Sequence, residues 1–553
     1  MDVENDFESR AAVYETLWDK AYDKQTPRHL SLSDITFKEL LERNRREYSN
    51  ETHIIYGDRQ WTWKESDTWA RRIANALVDL DISKGDRVLV ALSNRPAVIF
   101  CRMACMKIGA IAVGLNPRCT IREMERNLID SGAKAAFVDY EALSKLNEVR
   151  GRHETNLERI IVAGQPEGLR NHLELRDIAK AAPDNEPEAE VGPDDILTLS
   201  YTGGTTGVSK GCCYTNRMLE WHARAWNTWF APQLKGEKPR LLVSLPMYHA
   251  YAITCSVMLP IVTGGTVIVG TSPDVNDILA DINRFKPNIW PSIPAWVMPV
   301  SQRSDVEGSG LSDVAITLCG TCPVSKDALQ KFNEVTESLM IEGYGLSEAT
   351  SCVSFSPMGW QKLNSVGIPI CDTQVLTVDV ETGVHLTELG EPGELIIRGP
   401  QVIKEYWQHP EATESTIRNG WLYTGDIGTI DEDGFIRITG RKKEMIIVGG
   451  FNVFPREIDH VIESHPDVFQ SCTVSVPHER LGEVAFSFVV PNPGADIDSD
   501  TLDAYCRDQL VAYKAPKGFA ILEALPLTSV NKPDVLTLRQ WALEQYQAHG
   551  DRQ

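Results

Sequence analysis

The sequence lacks a long apolar run and any excess of positive charge. Its best apolar stretches, residues 98–115 and 253–269, are broken by Arg102 and Lys107 and by Pro260 and Gly264-Gly265. They read as buried core elements rather than membrane spans, leaving at most a peripheral membrane contact. Lys and Arg number 55 against 77 Asp and Glu, a formal net charge of −22. A surface of that sign repels phosphate backbones and argues against a nucleic-acid partner. The first residues, Met1-Asp-Val-Glu-Asn-Asp-Phe-Glu8, are acidic rather than apolar, unlike a signal peptide. The last five, His549-Gly-Asp-Arg-Gln553, form no peroxisomal or retention address. A cytoplasmic location is therefore expected, and twelve cysteines without a secretory signal fit a reducing compartment. Repeats and low-complexity tracts are absent. The one CxxC, Cys319-Gly-Thr-Cys322, has no second pair and no His pair at ligand spacing, so it reads as a Gly-Pro turn rather than half a zinc site.

What remains is an ordinary globular composition: 553 residues, 42% hydrophobic and 24% charged. That length supports two or more domains with large cores. Short Val/Ile/Leu-rich runs bounded by Gly or Pro predict strands at 87–92, 196–201, 240–245, 266–269, 314–318 and 394–398. Helical periodicity lies between them, as at 274–285 and 325–336. The alternation predicts an α/β fold of sheets covered by helices. Residues 181–195 form an acidic, Pro-rich connector. After residue 440 the texture becomes a compact α+β pattern, with helices at 455–464 and 499–510 and strands at 469–476 and 483–490. The boundary is set there, giving domains 1–440 and 441–553.

The chemistry starts at Tyr201-Thr-Gly-Gly-Thr-Thr-Gly-Val-Ser-Lys-Gly211. A Gly-rich loop after an apolar strand presents backbone N–H groups and the hydroxyls of Thr202, Thr205 and Thr206 to an anion, and Lys210 adds a charge. A polyphosphate suits it. The Walker pattern does not apply, because Lys210 stands between Ser209 and Gly211.

Six further segments follow in order: Pro246-Met-Tyr-His249, Gly343-Tyr-Gly-Leu-Ser-Glu348, Gly393-Glu-Leu with Arg398-Gly-Pro and Tyr406-Trp407, Tyr423-Thr-Gly-Asp426, Gly440-Arg-Lys-Lys443 with Gly450, and Leu525-Pro-Leu-Thr-Ser-Val-Asn-Lys532. With the first loop they resemble the acyl-adenylate-forming superfamily over about residues 30–540, and within it the fatty, long-chain acyl-CoA synthetases. The resemblance implies a large N-terminal domain of helix-covered mixed sheets and a small mobile C-terminal domain. It implies an ATP-dependent ligase that makes an acyl-adenylate, releases pyrophosphate, and passes the acyl group to coenzyme A with release of AMP.

The same resemblance distributes roles. Thr202, Gly203, Gly204, Thr205, Thr206, Gly207 and Lys210 hold the phosphates. Gly320, Glu342, Gly343, Tyr344 and Gly345 border the adenine, and Asp426 and Arg441 take the ribose. Thr205 and Glu348 hold Mg²⁺, as hard cations favour hydroxyl and carboxylate oxygens. His249 orients the acid, Lys532 is the catalytic lysine, and Lys443 is the pivot that brings Gly450 to the site for the second half-reaction. Asn531 stands before Lys532 where Gly is usual, and Pro533 follows. The acid pocket is expected at 249–255, 319–321 and 344–351, small or apolar residues without a Lys or Arg for a second carboxylate. That predicts an aliphatic or aryl acid, a medium- or long-chain fatty acid first. A carrier-protein thiol as acceptor, a luciferase-like oxygenase and a catalytically silent binding module stay open, as does homodimerisation.

Overall fold

The computed structural model describes residues 3–549 apart from 165–171, 203–208, 304–305, 307, 321–323, 325, 337 and 529–531. Among the described residues the chain forms four sheets. A seven-stranded sheet is parallel through Arg159–Ala163, Ala135–Asp139, Arg87–Ala91, Ile111–Gly114 and Ile196–Tyr201, and ends in the antiparallel strand Gly211–Thr215. A nine-stranded sheet has a parallel centre, with Met340–Tyr344, Ile316–Cys319, Ile289–Ser292, Arg240–Val243 and Thr266–Val269 side by side. An antiparallel five-stranded sheet carries Trp421–Ile430 and Ile436–Arg441. The fourth sheet joins Val468–His478 and Gly482–Pro491 to Ile446–Val448. The expected α/β class is what the chain adopts.

The two apolar stretches resolve into short elements. Residues 98–115 span the helix Pro96–Ile108 and the strand Ile111–Gly114. The helix has Pro at its first turn and ends on Gly109 at φ 69°. It is buried almost all round, which is why its sequence shows no amphipathic stripe. Residues 253–269 cover a π-helical turn, Thr254–Met258, the helix Leu259–Thr263 and the strand Thr266–Val269. Gly264 between the last two has φ 68°, and a Cβ there would lie 2.3 Å from the Tyr48 ring. No helix among the described residues is long and apolar enough to cross a membrane.

The acidic connector is tied down. Lys38 donates to the carbonyls of Pro187 and Ala189, and Asn75 to those of Pro183 and Asn185. Glu186 reaches the ammonium of Lys107, which is fully buried and also lies 2.8 Å from Asp67. Among the described residues four hydrophobic clusters form. The largest runs through both large sheets and the five-stranded one, one begins at Ile446 and ends at Ala542, one lines the seven-stranded sheet from Leu89 to Cys213, and a small one joins Val380, Ile427 and Phe454.

Breaking a buried ion pair from one side leaves an uncompensated charge. Lys107→Met should lower unfolding stability by about 3 kcal/mol, the low end for such pairs, because Arg71 stays 2.8 Å from Asp67. Urea unfolding followed by tryptophan fluorescence checks this, and an unshifted midpoint refutes it.

Candidate active site

The flanks of the expected phosphate loop are built by strand pairing. Tyr201 faces Gly211 across the hairpin, and at its neck Thr202 and Lys210 exchange hydrogen bonds, N to O 3.1 Å and N to Oγ1 3.3 Å. Gly203, Gly204, Thr205, Thr206 and Gly207 lie outside the described residues. Cys212 bridges to Tyr406, and Trp407 N–H donates to Gly211 O at 2.8 Å. That pairing carries the Tyr406 hydroxyl to Glu348, where it donates to Oε1 at 2.7 Å. The Lys210 ammonium sits 4.9 Å from the Tyr406 ring centroid, a cation–π distance. Among the described residues the other Glu348 oxygen accepts no hydrogen bond. A carboxylate oxygen left open in this way has the chemistry of a Mg²⁺ ligand.

Asp426, the expected ribose ligand, is 4% exposed. The Tyr344 hydroxyl donates to its Oδ2 at 2.7 Å, and Arg441 forms an ion pair with it, Nε to Oδ1 3.0 Å. Asp426 and Arg441 are direct cross-strand partners. Burial, then the Asp426 carboxylate, push the Tyr344 phenol well above its ordinary pKa. Gly345 is required by crowding: a Cβ there would lie 1.8 Å from Ser351 O. Gly343 packs on Phe355, and a Cβ on Gly320 would meet Gly343 O at 3.7 Å. Glu342 is buried below this segment, accepts Val324 N–H at 3.2 Å, and is pushed up to about 7 by burial.

His249 caps the short helix Ala250–Ile253. Its Nε2 is buried without a hydrogen-bond partner. Burial first, and the charge of Lys532 second, lower its pKa to about 4. Two hydrogen bonds tie Lys532 to Thr528: its N–H donates to Thr528 Oγ1 at 3.2 Å, and Thr528 N–H to its carbonyl at 2.7 Å. Lys443 is exposed, while its neighbour Lys442 is fixed to Gly425 O and Glu394. Gly449 and Gly450, at φ 58° and 89°, form an exposed turn. Lys443 and Gly450 make none of the contacts above, so the structure brings the other described candidates together and leaves these two outside.

Residues 41–407 match the family described as AMP-binding enzyme, and 457–532 its C-terminal domain. A long-chain-fatty-acid–CoA ligase of Yersinia pestis is 31% identical, covering 94% of this chain and 96% of its own. A feruloyl-CoA synthase of Amycolatopsis is 32% identical over 87% of this chain and 94% of its own. The crystal structure of the anthranilate CoA ligase AuaEII with anthranoyl-AMP superposes with a TM-score of 0.85 at 25% identity, covering 94% of this chain and 99% of that one. The chain belongs to the AMP-binding enzyme family.

For an AMP-binding enzyme, two features of the site had no local signal. Tyr406 reaches Glu348 from 58 positions away; its segment reads in sequence as structural. Glu444 is partly buried, and burial raises its carboxyl while Arg441 and Lys532 act against that rise. It stands in a basic run that drew attention to the lysines instead.

His249 has a folded pKa of about 4, below the ordinary 6.5. Between those values the unfolded chain binds the proton first, so the contribution is complete above pH 6.5 and is lost as pH falls to 4. His53 and His222, each lowered to about 3 by burial, act in the same direction. Unfolding free energy should fall on acidification through this window, by about 1.4 kcal/mol per pH unit for each proton. His249→Asn should reduce that slope, read from urea midpoints between pH 7 and 5.

Proposed function

We propose that this chain is an AMP-forming ligase that joins a carboxylic acid to coenzyme A through an acyl-adenylate. The observation that carries the reading is the convergence of Asp426, Tyr344 and Arg441 at one end and Glu348, Tyr406 and Lys210 at the other, with Lys532 close enough to His249 to depress its pKa.

An ionised carboxylate needs no general base. Its oxygen attacks the α-phosphorus of ATP, and the bond to the β-phosphate bridge breaks to release pyrophosphate. Charge gathers on the phosphate oxygens, so positioned cations supply most of the catalysis. Lys532 supplies one, and Lys210 with the loop amides supplies others. Bound Mg²⁺ contributes further charge neutralisation on the phosphates, and Glu348 with Thr205 would hold it. Asp426 accepts from the ribose hydroxyls, and Tyr344 borders the adenine. A thiol then attacks the acyl carbon and AMP leaves.

The second step uses a different arrangement, reached by rotation of residues 441–553 about Lys443. Support comes from the exposure of Lys443, the open turn at Gly449-Gly450 and the separate core that starts at Ile446. The acid is apolar. Medium- or long-chain fatty acids are favoured by the name of the Yersinia pestis relative. Aryl acids are favoured by the names of the feruloyl and anthranilate enzymes.

AMP and pyrophosphate release, measured over C2–C18 fatty acids and aryl acids with and without CoA, tests this reading. Lys532→Ala should slow ATP–pyrophosphate exchange by ~10²–10³, the worth of one positioned donor. Lys443→Pro, which fixes φ, should keep exchange and lose transfer to CoA. Exchange without transfer in the unaltered enzyme, restored by a carrier-protein thiol, would move the acceptor from CoA to a carrier.

A further inference from the structure

The acid side of the site contains a polar chain that no motif announced. His222, on the helix Asn216–Leu234, is 1% exposed. Its Nε2 lies 3.1 Å from Ser351 Oγ, and Ser351 Oγ lies 3.3 Å from Thr254 Oγ1. Three segments meet here: that helix, the helical run that His249 begins, and the loop after Glu348. Ser351 belongs to the wall of the nucleotide segment, since its carbonyl is what excludes a side chain from Gly345. One turn past His222, Trp226 packs edge-on to Phe355 at 5.0 Å and against Tyr251 at 6.0 Å. The polar chain is therefore set in an aromatic surround.

The backbone is strained at this point. Ser351 has φ 101°, a region that side chains other than glycine's rarely occupy. Such strain costs of order 1–3 kcal/mol and persists where the surroundings fix it.

Proton accounting gives the chain a direction. Thr254 Oγ1 donates to Ala250 O at 3.0 Å, so it accepts from Ser351. His222 Nδ1 is buried without a partner. Leaving a bare lone pair there costs less than orphaning an N–H, so the proton is on Nε2 and points at Ser351. Burial keeps the ring neutral, with its pKa lowered to about 3. Ser351 Oγ then accepts from His222, donates to Thr254 and retains one free acceptor position. Ser351 is half-buried, unlike its two partners.

We infer that Ser351, oriented by His222 and Thr254, is a specificity-determining residue that selects acids whose tail carries a hydrogen-bond donor, a hydroxyl or amino group. This rests on the ligase reading above and names the substrate class of the same site. A methoxy group of similar size, which cannot donate, is a poor substitute.

The test uses the full-length enzyme, ATP, Mg²⁺ and CoA with matched acids: benzoate, 4-hydroxy-, 4-amino- and 4-methoxybenzoate; the same series of cinnamates; and octanoate against 8-hydroxyoctanoate. In at least one series the donor-bearing acid should exceed both the unsubstituted and the methoxy acid in kcat/KM by about tenfold, the value of one hydrogen bond. Ser351→Ala should bring that ratio close to one, and Thr254→Val should lower it, with melting curves verifying that both variants fold. A general loss of structure would lower all acids together and leave the ratio unchanged. Equal rates within every series, or a ratio that survives Ser351→Ala, overturns the inference and leaves the ligase reading standing. No AMP release with any acid overturns the ligase reading itself, and this inference with it.

Discussion

The buried carboxylate of Asp426 joins the parts of this molecule that have to act together. It accepts from Tyr344, at the end of a strand in the nine-stranded sheet, and pairs with Arg441, at the end of the strand that leads out of the five-stranded sheet. A buried charge is costly unless hydrogen-bonded and paired. Here the hydroxyl and the guanidinium meet that need, and they fix two sheets relative to each other. An ionised carboxylate has about four acceptor positions, and these two partners leave room for a diol. The arrangement that holds the fold together at this point thus keeps acceptor positions for the ribose of the proposed reaction. Immediately beyond Arg441 come Lys443, Glu444 and the core that starts at Ile446, so the same carboxylate anchors the near side of the proposed pivot.

What the sequence made legible follows from range. Gly345, Asp426 and Arg441 stand in short stretches whose resemblance to the family could be read directly, and the structure adds the crowding at Gly345 and the cross-strand pairing of Asp426 with Arg441 fifteen residues on. Strand Ile196–Tyr201 and helix Val275–Phe285 fall where periodicity puts them. Other strand ends moved by a few residues; the strand expected at 314–318 is Ile316–Cys319, because a 3₁₀ turn at Leu311–Asp313 takes up the approach to it. Tyr406 was opaque because its partner is set by a bridge to Cys212, distant in sequence. His222 was hidden for a different reason. It sits among Trp221, Trp226, Trp229 and Phe230 on a helix that reads as plain core, and only the fold brings Ser351 to it.

Net charge shows the same division between global and local properties. A chain at −22 attracts no polyanion by its overall field. Any affinity for a polyphosphate has to come from groups placed one by one. Lys210 is steadied over an aromatic ring, Arg441 is pinned by Asp426, and the Lys532 backbone is tied to Thr528. Each cation has its position fixed by a neighbour, which lowers the entropy lost when an anion arrives. An acidic surface then costs little in binding and keeps adventitious anions away.

The neutrality of His249 is the counterpart of those cations. It lies within the electrostatic reach of Lys532, in a buried position that holds its pKa near 4. A charged imidazolium there would pair with the incoming carboxylate and stabilise it in the ground state, which lowers binding constants without lowering the barrier. A neutral ring can orient the acid and exclude water while leaving its charge free for the phosphorus. In the proposed reaction positive charge is then concentrated on the lysine, which would neutralise the oxygens where negative charge grows. In the proposed reaction the distinction between the acid end, dry and neutral, and the phosphate end, cationic, is what directs binding energy toward the transition state rather than the bound substrate.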